Sequence, residues 1–311
     1  MPVVRTLTSP SPGAIAILQL EGDVDTILDE LTPAVGWPEG VVRLASPGGI
    51  DDCLVVRIDA TTAQIMPHGG PRVRQRLLHW LAERNVPASG ASGCRWPEAA
   101  DGVQAAMLAT LATATSPLAV DLLLDQPVNW ETKCTWTPED DARSRRLNHL
   151  LHPPRVVVVG EPNIGKSTLL NALAGRDRVI TGDAPGTTRD FVSAEVDCAG
   201  LVVHWFDTPG IRITDDPVET RAVELARRLV TQADLLIAAA DGEHQWPDLP
   251  RTPDLRIGTK SDLAAREDAD AVVSAKTGRG MPTLVRSIRD TLVPPEDLAT
   301  RRPWRFHPDL P

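Results

Sequence analysis

Hydrophobic positions along the chain change their period twice. Up to about residue 66, short apolar and β-branched runs at 13–20, 41–44 and 53–58 alternate with Gly- and Pro-containing turns. This is the pattern of strands in a small α+β domain. From 70 to about 151, apolar residues recur at three- and four-residue steps, most clearly over 72–84 and 98–113, which predicts helices. The Pro-broken stretch 130–138 reads as a loop within this helical region. At Pro153-Pro154 the helical pattern has to stop, because proline lacks the backbone donor and disfavours helical geometry in the residue before it.

Beyond that point an all-apolar strand at 155–159 is followed by strand-like runs at 201–206, 235–240, 255–258 and 272–273, with helical runs between most of them. Such alternation predicts an α/β domain, a mostly parallel sheet flanked by helices. The domain reading is therefore an N-terminal α+β domain over 1–69, a helical connector over 70–152, an α/β domain over 153–294 and an irregular tail over 295–311. Between 241 and 255 only a Pro-rich loop stands where domains of this kind carry a helix. One sheet face is expected to be thinly covered there, or open to a partner.

Composition narrows the field without choosing a function. With 311 residues, 42% hydrophobic and 24% charged, the chain can bury more than one core and is not of the disordered class. A net charge of -10 gives no overall basic field to draw in nucleic acid. The local groups Arg143, Arg145, Arg146 and Arg301, Arg302, Arg305 are candidate contacts for nucleic acid, but the commoner reading of such runs is solvated surface. Cys53, Cys94, Cys134 and Cys198 are dispersed with no C-x-x-C pair, which argues against zinc and disulfides and for reduced thiols. The first residues lack the apolar core of a secretion signal, and no stretch approaches the ~20 apolar residues of a membrane span. A cytoplasmic location with no membrane partner is expected.

Candidate chemistry concentrates in the α/β region. Gly160-Glu161-Pro162-Asn163-Ile164-Gly165-Lys166-Ser167 has the G-x-x-x-x-G-K-[ST] spacing and lies between a predicted strand and a predicted helix over 167–173. Glycines there let successive N–H groups converge on a phosphate, and the helix start adds positive dipole. Lys166 reaches the outer phosphates, Ser167 ligates magnesium, and Thr168 follows in the first helical turn. Downstream, Asp207-Thr208-Pro209-Gly210 closes a second apolar strand. Asp207 is placed to hold magnesium, and the Gly210 N–H to sense a γ-phosphate. Between them, Gly186-Thr187-Thr188-Arg189-Asp190 offers hydroxyls, that of Thr188 completing the metal shell.

Base identity is read from Thr259-Lys260-Ser261-Asp262, an [NT]-K-x-D pattern in which a carboxylate accepts both the ring N–H and the exocyclic amine of guanine. Adenine presents no such donor pair. Ser274-Ala275-Lys276, after the next strand, resembles the loop that offers a backbone N–H to the guanine carbonyl. Together these elements predict GTP and GDP as ligands. Ile211, directly after Gly210, is apolar and cannot orient an attacking water.

The Gly-x-Pro-Asn form of the phosphate loop, the Gly186-Thr187-Thr188-Arg189-Asp190 stretch and Asp207-Thr208-Pro209-Gly210-Ile211-Arg212 together resemble the tRNA-modification GTPases of the MnmE or TrmE type, relatives of Era and EngA. Residues 13–18 and the turn Pro67-His68-Gly69-Gly70-Pro71 resemble that family's N-terminus. The resemblance implies GTP hydrolysis in the service of wobble-uridine modification, with a tRNA or a modification protein as partner. It also implies homodimerisation through the N-terminal and GTPase domains. A potassium ion would be held by Asn163 and by the 181–185 stretch beginning at Thr181, and Glu219 would position the water beside Lys166 as the catalytic pair.

Read from its own surroundings, Glu219 is also a solvated glutamate of a helix start, and Asn163 also a turn residue. His68 reads as a packed histidine of its turn rather than a ligand. Departures from the family are visible. Pro12 and Gln19 stand where arginines are implied, and residues 64–66 where an acidic side chain is implied, which counts against a folate derivative. The tail around Pro303-Trp304-Arg305-Phe306-His307-Pro308 lacks the family's cysteine motif. The alternative function is a nucleotide-switched scaffold, or a ribosome- or tRNA-maturation GTPase without modification activity.

Overall fold

The computed structural model describes residues 1–8, 13–31, 36–90, 94–132, 134–175, 192–208 and 228–310. They fall into two compact units that interleave along the chain, Met1–Thr113 with Gln126–Trp130 and His307–Pro311, and Ala114–Asp125 with Glu131–Phe306. Among the described residues, no helix is long and apolar enough to cross a membrane.

The first unit is built on strands β1 (Val3–Thr6), β2 (Leu18–Glu21), β3 (Val42–Ala45), β4 (Cys53–Asp59), β5 (Thr62–Met66) and β6 (Ala88–Ser89), in the order β3-β4-β5-β2-β1-β6. Pairing is antiparallel except between β1 and β6. Leu18, Leu20, Val55 and Ile65 point into a core closed by Ile27 and Leu28 of α1 (Asp25–Leu31) and by Leu77 and Leu81 of α2 (Pro71–Ala82). The four-residue spacing on α2 gives one apolar stripe. That helix, placed by sequence pattern in the connector, therefore packs on the N-terminal sheet. Strand β5 escapes a period-2 reading because Gln64 is buried opposite Gln19 of β2, its Nε2 donating to Gln19 Oε1 at 3.1 Å. Helix α3 (Gly102–Leu111) starts at Asp101, whose carboxylate accepts from the Gln104 N–H at 2.7 Å.

Helix α4 (Leu118–Leu124) precedes the stretch expected as a loop over 130–138, α5 (Gln126–Glu131) runs into its start and α6 (Pro138–Leu147) begins at its end. Thr137 and Asp140 cap the start of α6 reciprocally, with proline at the first helical position.

The second unit carries β7 (Arg155–Val159), β8 (Val192–Cys198), β9 (Leu201–Asp207), β10 (Leu235–Ala240), β11 (Leu255–Gly258) and β12 (Ala271–Val272), ordered β12-β11-β10-β7-β9-β8. All pairs are parallel except β8 with β9, a hairpin turning at Ala199 and Gly200, both with positive φ. Sequence reading leaves β8 out, although its residues alternate apolar and polar. Val156 to Val159 and all of β10 are buried, as central parallel strands covered on both faces must be. Helices α7 (Lys166–Ala174) and α8 (Met281–Leu292) bury Leu169, Leu170 and Leu173, and Leu284, Ile288 and Leu292. In the helix-less loop, Leu249 packs on a cluster of Val157, Val159, Phe206 and Leu236, so that sheet face is partly covered after all.

The expected irregular tail differs from expectation. Pro294 and Pro295 start a short helix α9 (Pro295–Ala299), and Trp304 is fully buried with its Nε1 donating to Asn148 Oδ1 at 3.0 Å. Of the arginines expected as solvated surface, Arg145 and Arg301 are exposed, but Arg143, Arg146 and Arg302 hold this segment. Arg143 is buried and donates to the carbonyls of Asp297, Thr300, Arg302 and Pro303 at 3.0–3.4 Å. Arg146 forms a two-bond pair with Asp297, and Arg302 one with Asp140.

Candidate nucleotide-binding site

The phosphate loop connects β7 to α7 at the carboxyl edge of the parallel strands, where ligands bind in open α/β sheets. Gly160 has no room for a side chain, since a Cβ there would meet Ala239 O at 2.3 Å. Gly165 turns the chain into α7 with φ +99, and Asn163 also adopts a left-handed φ of 65. Lys166 Nζ donates to Gly160 O at 3.0 Å and to Glu161 O at 3.1 Å. Burial lowers its pKa, against the opposing charges of Asp207 and Glu161. The ammonium thus lies inside the loop, where an incoming phosphate would replace the two carbonyls.

Ser167 Oγ donates to Asp207 Oδ2, while Asp207 Oδ1 is buried without a hydrogen-bond partner. A buried carboxylate oxygen with no partner is costly in a folded protein. Two hard oxygen donors side by side, one of them unsatisfied, are what a magnesium ion takes. The residues present fit that metal.

Beside the phosphate loop lies a cavity of about 240 Å³, lined by Ile164, Gly165 and Thr168 on one side and by Lys260, Asp262, Ser274, Ala275 and Lys276, the expected base readers among them, on the other. Asp262 Oδ1 accepts from Ser274 Oγ at 2.7 Å. That hydroxyl bond, with the nearby Lys276 charge, holds the Asp262 carboxyl below its ordinary value. Thr259 Oγ1 donates to Ile164 O at 2.6 Å, tying the 259–262 loop to the phosphate loop. Leu169, Leu263 and Val273 also line the cavity and escaped the motif search, because apolar lining carries no motif. Asp241 escaped it too, although it follows the end of β10 much as Asp207 ends β9. Thr181, Thr187, Thr188, Gly210 and Glu219 lie outside the described residues.

In the first unit, Gln19 and Gln64 bond to each other, and Gln19 Nε2 further donates to Glu21 Oε1 and Arg95 O. Pro12 lies outside the described residues. His68 is exposed rather than packed, with its Nδ1 2.9 Å from Asp51 Oδ1 and its backbone N–H donating to Asp51 Oδ2 at 2.8 Å. It fixes its turn through Asp51.

The family described as 50S ribosome-binding GTPase matches residues 155–265. The tRNA modification GTPase MnmE of Ruegeria sp. is 44% identical over 137 residues, covering 44% of this chain and 32% of that one. Its counterpart in Methylorubrum populi is 43% identical over 152 residues, 48% of this chain and 34% of that one. In Thermus thermophilus the figures are 41% over 144 residues, 45% and 33%. The chain spans about a third of the length of these curated relatives. With its strand order and phosphate loop in place, the segment 155–265 is a P-loop GTPase domain, similar in sequence to the matching part of those MnmE proteins.

Proposed function

We propose that this protein binds GTP between the phosphate loop and the Asp262 cavity and hydrolyses it to GDP and phosphate. We assign that activity to tRNA wobble-uridine modification, with potassium stimulation through pairing of two GTPase domains. One observation carries the reading: the hydrogen bond from Thr259 to Ile164 O makes the guanine-reading loop and the phosphate loop a single wall. A ligand on that wall has to offer both a base with paired donors and a polyphosphate.

Asp262 accepts the ring N–H and amine of guanine while Ser274 fixes its orientation. Lys166 transfers its ammonium from the loop carbonyls to the phosphates, where it neutralises charge as the β–γ bridging oxygen leaves and a water oxygen bonds to the γ-phosphorus. Ser167 and Asp207, with Thr188, would hold magnesium, which supplies positive charge to the phosphate oxygens when bound. Asn163, through its amide oxygen, and Thr181 would hold potassium. Glu219 is assigned to orient the water that Ile211 cannot.

GTP turnover by the purified protein in matched potassium and sodium buffers, beside Glu219→Ala, tests this. Faster turnover in potassium, lost in the variant, supports the mechanism. Tight GTP binding without turnover in either salt overturns it in favour of a nucleotide-switched scaffold.

A further inference from the structure

Asp241 follows the last residue of β10, is buried, and belongs to none of the motifs that point to the nucleotide. Both of its carboxylate oxygens are engaged. Oδ1 accepts from the backbone N–H groups of Glu243 and His244, each at 3.1 Å, and lies 2.6 Å from His244 Nδ1. Oδ2 accepts from Lys260 Nζ at 2.9 Å. The Asp241 carbonyl accepts from Arg266 Nη1 at 2.9 Å, and Arg266 is itself paired with Asp268 and stacked 4.3 Å from the centroid of the Trp246 ring. Burial pushes the Asp241 carboxyl up, but the bonds from His244 and Lys260 and from the two backbone N–H groups outweigh it and keep it well below the ordinary carboxylate range. It is an anion locked in place.

Lys260 lines the base cavity, with a left-handed backbone φ of 52 that a residue bearing a side chain adopts at a cost. A free lysine stem would keep its rotamer freedom in solvent. A fixed partner for the ammonium removes that freedom before any ligand arrives. We propose that Asp241 is a positioning residue for base recognition: by anchoring the Lys260 ammonium, it lays the Lys260 methylenes along the cavity wall as an apolar rest for the guanine ring. The inference rests on the reading of this cavity as the base site. It also gives the Pro-rich loop after β10 a task, because the groups that clamp Asp241 include Glu243 and His244 from that loop.

The test is a double-variant cycle on GDP affinity by calorimetry. Asp241→Asn keeps size and one acceptor oxygen but loses the charge, and is expected to weaken GDP roughly tenfold. Lys260→Met keeps an apolar stem without the anchor and should lose a similar factor, with no further loss when both are combined. Inorganic pyrophosphate, which engages the phosphate loop alone, should bind all variants equally. Multiplying losses in the double variant, or a matching loss for pyrophosphate, overturns the inference. If Asp241→Asn does not fold, Lys260→Met alone decides, since unchanged GDP affinity there also overturns it. A native protein that prefers ADP to GDP would instead remove the base-site reading beneath the inference.

Discussion

Two buried polar clusters, one in each unit, are partnered in opposite ways. In the first, Gln19, Glu21 and Gln64 are buried and partnered from several directions. Glu21 accepts from Arg5 Nε at 2.9 Å, from Gln19 and from the Arg95 N–H at 3.0 Å, while Gln64 donates to Gln19. In the second, Asp207 Oδ1 and Ser261 Oγ are buried without a partner, and a cavity lies beside the phosphate loop. A closed network contributes rigidity and specifies one packing. An unsatisfied carboxylate oxygen at the edge of a parallel sheet is tolerated when a ligand completes it. By that contrast the first unit's polar cluster closes on itself, and the cluster at Asp207 keeps an oxygen open for a ligand.

The sharpest way to break the contrast is Lys166→Ala. If the phosphate end carries the chemistry, phosphate release from GTP should fall by about 10³ or more. A loss of less than tenfold would place the chemistry elsewhere. Next in size is Asp262→Asn, expected to weaken GTP by about 10² and to admit xanthosine triphosphate instead, whose second carbonyl accepts from the new amide. Competition binding with the two nucleotides reads this directly.

On the other side of the contrast stands Glu21→Gln, expected to lower unfolding stability by about 1–3 kcal/mol while leaving GDP affinity unchanged. Acid titration sharpens it further. Burial pushes the Glu21 carboxyl up, but the Arg95 N–H, Gln19 and Arg5 outweigh it and depress its folded pKa. A depressed carboxylate contributes stability above its unfolded pKa of about 4.3, and that contribution is lost as pH falls through the folded value. Urea unfolding followed below pH 4.3 should show this slope in the native protein and lose it in Glu21→Gln.

Much of the site was legible because its chemistry is contiguous. Eight successive residues make the phosphate loop, and Thr259 to Asp262 follow directly on β11, so strand, turn and ligand group appear together in sequence. What stayed hidden depends on partners far away along the chain. Gln64 reads as an outward strand position until Gln19 is found opposite it. Arg143 reads as a solvated face of α6 because the four carbonyls that bury it come from the tail. Asp241 reads as a strand-end turn residue, and only the fold brings Lys260 to it. Helix α2 shows the remaining gap: period reveals its stripe but not which sheet the stripe covers.

The Arg143 cluster also sets a schedule for synthesis. Its carbonyl partners lie 154–160 residues further along the chain. At about 5–20 residues per second, the ribosome delivers them roughly 8–30 s after Arg143 itself. Throughout that interval the guanidinium must stay hydrated and α6 lacks the cover that later buries it. The parallel sheet can pair its strands as they emerge, but this corner of the unit is sealed only when residues 297–303 arrive.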